Sequence, residues 1–157
     1  GHSNHSIDKF ISLLEGSEIN MVVDVRSAPF SRMFPQFNQE AFKKSLSDNT
    51  IGYLFLGDQI GGRSNDPDDY LDGQVLYKSL ARKEAFKLGI NRLKEGSVKY
   101  QIAITCSEKE PLDCHRFLLV SEALARSGVV VRHIHADGTI ETHGEALVRV
   151  WWASKAA

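Results

Sequence analysis

The chain has 157 residues, 42% hydrophobic and 25% charged, with a formal net charge of -1. These proportions exclude a wholly disordered chain and argue against a strongly basic nucleic-acid binder. No apolar run reaches the roughly 18 residues that a membrane span requires. The first residues lack an apolar signal segment and only two cysteines are present. A single domain over residues 1–157 is expected, cytoplasmic, with free thiols and no membrane partner.

In chain order, Ser6 reads as an N-cap for a helix whose apolar stripe is Ile7, Phe10, Ile11 and Leu14, ended by Gly16. Residues 21–25 form a β-branched run, read as a buried strand. Residues 26–38 read as a loop and 39–47 as a helix with Phe42 and Leu46 on one face. Residues 53–56 are a second apolar run, followed by a long loop over 57–76, a length that usually marks function. Residues 78–95 read as one helix, with Gly89 interrupting its middle. A strand is expected over 100–105, a polar loop over 106–113 and a helix over 114–127. The most β-like segment is 129–134, followed by an Asp137-Gly138 turn and a last helix over 145–154. Of the adjacent Trp151 and Trp152, one is expected to face the core. Alternating strands and helices predict an α/β fold: a mostly parallel central sheet, including 21–25, 100–105 and 129–134, with helices on both faces.

In such a sheet the ligand crevice lies outside the strand carboxyl ends. Arg26 ends the first strand. Asp58 and Gly61-Gly62-Arg63 follow the second. Cys106 follows the strand over 100–105, and Cys114-His115-Arg116 opens the next helix. Arg26, Arg63 and Arg116 are ligand-binding candidates, because guanidinium forks suit phosphate and carboxylate. A small anionic ligand, phosphorylated or nucleotide-like, is the partner they imply. Cys106 is the candidate nucleophile, favoured as a thiolate by nearby cations. His115, His5 or His2 would supply the acid/base group, and Asp58 would orient a histidine or a ligand hydroxyl. Cys114, near a helix N-terminus, is a further ligand-binding candidate.

Each assignment has a plainer alternative. Cys106 and Cys114 could be buried packing residues. Arg26 could pair with a surface carboxylate, and the Cys114-His115-Arg116 turn could be tied to Glu108 or Glu110. The cysteines and histidines are of zinc-ligand type, but none shows a familiar ligand spacing, so no metal and no cofactor is expected. Phe30, Phe34 and Phe37 alternate with Arg32 on a loop that could stack bases, although pinning onto the core is the favoured role. The function classes are therefore an enzyme acting on an anionic small molecule, a nucleic-acid-associated module, and a non-catalytic interaction domain.

At these residues the sequence resembles the uncharacterised family called domain of unknown function 488. The resemblance rests on Gly1-His2-Ser3-Asn4-His5-Ser6, Asp24-Val25-Arg26-Ser27-Ala28-Pro29 and Phe34-Pro35-Gln36-Phe37-Asn38. It continues through Leu56-Gly57-Asp58, Gly61-Gly62-Arg63, Cys106-Ser107-Glu108, Cys114-His115-Arg116 and His133-Ile134. It implies a compact α/β domain, with a further strand ahead of Gly1, and no established reaction. It also implies that the first histidine segment is native, and His2 and Ser3 are ligand-binding candidates. Asp24-Val25-Arg26 and a strand-end cysteine are loosely similar to rhodanese-like domains. Those close a short cradle directly after the cysteine, whereas residues 108–113 intervene here.

Overall fold

The structure is a computed structural model describing residues 1–156. Helix α1 (Ile7–Gly16) starts where Ser6 accepts the Lys9 amide, and it buries Phe10, Ile11 and Leu14. Strand β1 (Met21–Asp24) follows, then a loop with one 3-10 turn at Pro35–Phe37, helix α2 (Gln39–Asp48) and strand β2 (Gly52–Phe55). The segment expected to be one long loop holds a short helix α3 (Gly57–Ile60) and a hairpin of β3 (Tyr70–Leu71) and β4 (Gln74–Val75). The helix expected over 78–95 is two: α4 (Tyr77–Leu80) and α5 (Glu84–Lys99). One buried carboxylate ties both corrections together. Asp69, 1% exposed, accepts from the Ser64 and Ser79 hydroxyls and pairs with Lys83 at the start of α5. Such polar anchoring redirects the chain without leaving a periodic pattern.

Strand β5 (Ile102–Thr105) is followed by a helical segment, first π-helical over Arg116–Ser121 and then α6 (Glu122–Arg126). Strands β6 (Arg132–Ile134) and β7 (Ile140–Thr142) lead into helix α7 (His143–Ala156). The central sheet is wholly parallel, in the order β2-β1-β5, with Val22 opposite Tyr53 and Ala103.

Alternate residues of β1 serve opposite faces, as strand geometry requires. Val22 packs with Phe10, Ile11, Leu14, Phe42 and Leu46 of α1 and α2. Val23 and Val25 pack with Ile60, Phe86, Ile90, Leu93, Val120 and Leu124 on the other side. The fold is therefore α/β, with helices covering both faces of a parallel sheet.

The sequence expectation fails at residues 129–134. Their β-rich run is real, but β6 pairs antiparallel with β7, outside the central sheet. The intervening turn contains Asp137 and Gly138, the latter at φ 85°. A nearby hairpin partner captured the strand, since local pairing closes only a short loop. A cavity of about 980 Å³ is lined by β5 residues such as Ile102 and Ile104 and by Val129, Val131 and Ile134. Trp151 and Trp152 are both exposed, so neither faces the core. No helix among the described residues is long and apolar enough to cross a membrane.

Candidate functional site

Cys106 stands directly after β5 and is 7% exposed. The chain then runs out through a polar loop and a 3-10 turn at Pro111–Asp113, returning with Cys114, His115 and Arg116, all buried. This return brings three chemical groups together. The Cys106 sulfur lies 3.7 Å from His115 Nδ1, and the Cys114 sulfur 3.8 Å from the same atom. On the far side of the ring, Nε2 is 2.9 Å from the Val25 carbonyl. A carbonyl only accepts, so Nε2 carries a proton and donates it to Val25, and Nδ1 faces both sulfurs. Gly62 packs against the same ring: a Cβ there would come within 2.6 Å of His115 Cγ.

The electrostatics of the two thiols diverge. Hydrogen bonding from Cys114 and from His115 holds the Cys106 thiol well below its ordinary range, against the opposing effect of burial. Cys114 is pushed up, by its bond to Cys106 and by burial. The pair therefore holds one negative charge readily, on Cys106. Cys114 also acts as the N-terminal cap of the helical segment, since its sulfur accepts the Arg116 amide at 3.3 Å. The acidic loop was the expected alternative cap. Glu110 instead accepts the Leu112 amide and pairs with Arg149.

The three arginines do not share one crevice. Arg26 is 3% exposed and turned to the opposite sheet face, where it pairs with Asp24 at 2.7 Å and donates to the Phe37 carbonyl. Its carboxylate partner is buried rather than on the surface. Arg63 is exposed, its amide donating to Ser27, and it shares a small cavity of about 180 Å³ with Asp58, which is also exposed. Arg116 lines the larger cavity, with His133, Thr105 and Ser121. It is 5% exposed, and among the described residues no carboxylate pairs with it; its one polar contact is the Glu108 carbonyl at 3.5 Å.

The first histidine segment runs beside Cys106. The His2 and Ser3 amides donate to the Cys106 and Ser107 carbonyls at 2.8 and 2.9 Å. The His2 ring, however, stacks on Phe37 at 4.4 Å and its Nε2 lies 3.4 Å from Arg26, so it serves the other face. The Ser3 hydroxyl reaches only Asn4. His5 is half-buried, and its carbonyl accepts from Gln36 rather than its ring meeting Cys106. Of the acid/base candidates, His115 is the one placed against the sulfur. The base-stacking loop is pinned onto the core: Phe37 is fully buried, leaving Phe30 exposed.

Three features escaped the sequence reading. His133 Nε2 lies 3.1 Å from His143 Nδ1, and His143 Nε2 lies 3.3 Å from the Glu122 carboxylate. Burial, with charge on His143 and Arg116, pushes His133 down to about 4. The Thr105 and Ser121 hydroxyls are buried without a hydrogen-bond partner. No spacing in the sequence signals any of these, because each depends on groups that separate elements bring together.

Residues 6–123, three quarters of the chain, match the family described as Domain of unknown function DUF488. No curated protein and no solved structure matches the chain.

Proposed function

The chain belongs to that family, and from this premise we propose that it is a thiolate-dependent enzyme acting on a small anionic substrate. The observation carrying the proposal is Cys106 at a strand carboxyl end, 3.7 Å from a His115 nitrogen whose tautomer is fixed by Val25. Proton transfer from the thiol to Nδ1 gives a thiolate–imidazolium pair. The Cys106 sulfur would bond to the electrophilic centre of the substrate. The leaving group would depart with its electron pair and take the proton from Nδ1. Arg116 supports the anionic part of the reading, since a buried guanidinium without a carboxylate is costly unless an anion joins it.

Alkylation kinetics test this. Iodoacetamide should label Cys106 of the folded protein with a midpoint well below the ordinary thiol value of about 8.5. His115→Gln should move that midpoint up, and Cys106→Ser should abolish the fast phase. A midpoint near that of a free thiol, unmoved by His115→Gln, would overturn the proposal.

A further inference from the structure

The same three residues have a second chemical capacity. Cys106 Sγ, Cys114 Sγ and His115 Nδ1 all lie within 4.8 Å of one another, and all three residues are buried. Two sulfurs at 3.7 and 3.8 Å face a nitrogen with only one lone pair. That nitrogen can engage only one sulfur at a time. A cation satisfies all three donors at once. Zinc bonds of about 2.3 Å to sulfur and 2.0–2.1 Å to nitrogen, at tetrahedral angles, separate S from N by roughly 3.6 Å. The two observed separations exceed that by only about 0.2 Å, and the sulfurs lie within 4.8 Å of each other.

The surroundings match those of a metal ligand set. The Nε2–H bond to the Val25 carbonyl is the outer contact that orients a ligating imidazole. The Arg116 amide on the Cys114 sulfur favours a thiolate there. Gly62 lets the neighbouring backbone close against the His115 ring. The donors also come from two anchored places, the end of β5 and the start of the π-helical segment.

We propose that Cys106, Cys114 and His115 form a three-ligand seat for a thiophilic cation of the zinc type. Three protein ligands leave the fourth tetrahedral position to a further ligand, as in zinc sites of that kind. The inference goes beyond the thiolate reading and does not rest on it. Loading releases to solvent the protons held by the two sulfurs and Nδ1, and places a lone pair of each on the ion.

The test uses the full chain, reduced and stripped with a chelator, then titrated with Zn2+ against a chromophoric chelator and separately with Co2+. One equivalent of Zn2+ per chain is expected. Co2+ should give a thiolate-to-cobalt band in the near ultraviolet and the intense visible bands of a tetrahedral site. Cys114→Ser and His115→Gln, each shown to be folded by circular dichroism, should weaken Zn2+ by more than about tenfold. His135→Gln, outside the cluster, should leave it unchanged. Absence of stoichiometric Zn2+, or equal affinity in the folded Cys114→Ser and His115→Gln proteins, overturns the metal seat. The two readings fail separately. Fast low-pH alkylation without zinc binding removes the seat and keeps the thiolate. Stoichiometric zinc with an ordinary thiol in the stripped protein does the reverse.

Discussion

Asp24→Ala should be among the most damaging single substitutions outside the apolar core. The Asp24 carboxylate is fully buried and Arg26 is 3% exposed. Oδ1 accepts the Arg26 amide at 3.1 Å and its Nε at 2.9 Å. Oδ2 accepts Arg26 Nη2 at 2.7 Å and the Tyr53 hydroxyl at 2.7 Å. Removing the carboxylate strands a buried guanidinium, which costs about 3–5 kcal/mol. The orphaned amide and hydroxyl add about 1–3 kcal/mol, less whatever water entering the vacated volume restores. A net loss of about 4 kcal/mol is expected, a large share of the roughly 5–15 kcal/mol that holds a domain folded. Replacing both partners, Asp24→Leu with Arg26→Met, removes the two charges together. That double variant should be at least about 2 kcal/mol more stable than Asp24→Ala. Urea unfolding followed by circular dichroism measures both. A loss below about 1 kcal/mol for Asp24→Ala, or a double variant no better than it, would refute the structural role given to Arg26.

Two further outcomes follow from the geometry. Gly62→Ala would press a Cβ to 2.6 Å from His115 Cγ; the ring must shift, so Cys106 alkylation at pH 6 should slow by about tenfold, and an unchanged rate would contradict the packing. Burial holds His133 at about 4 in the folded chain against an ordinary 6.5; the unfolded chain binds the extra proton between those values, so stability is complete above about pH 6.5 and falls as pH drops toward 4, a slope that urea midpoints should show and His133→Phe should flatten.

The readable parts of the fold are those set by local pattern. The stripe through Phe10, Ile11 and Leu14, and the runs that became β1, β2 and β5, are encoded by period and β-branching within a few residues. Asp137-Gly138 marks its hairpin for the same reason. Pairing partners are not local. Nothing in residues 129–134 says that β6 joins β7 rather than β5, and nothing in the 78–95 stripe says that Lys83 will be held by Asp66 and Asp69. Both outcomes depend on groups brought together only after collapse.

The candidate site divides along the same line. Cys106, Cys114 and His115 were each visible from their position at a strand end or helix start, yet Cys106 and Cys114 stand on either side of a loop, so no single helix or strand period relates them. What joins them is the return of residues 107–113 through the 3-10 turn at Pro111–Asp113, together with a backbone carbonyl, Val25, that no side-chain pattern displays. Arg26 is different, because the information was present. Asp24 and Arg26 stand two apart at a strand end, and a period of two sets their side chains on one face. Opposite charges so placed on a buried strand satisfy each other before either can serve a ligand. Arg116 has no acid at such a spacing on its own helical turn and stays unpaired in the folded chain among the described residues. Reading charged residues first for a partner on the same face would have separated the paired arginine from the unpaired one.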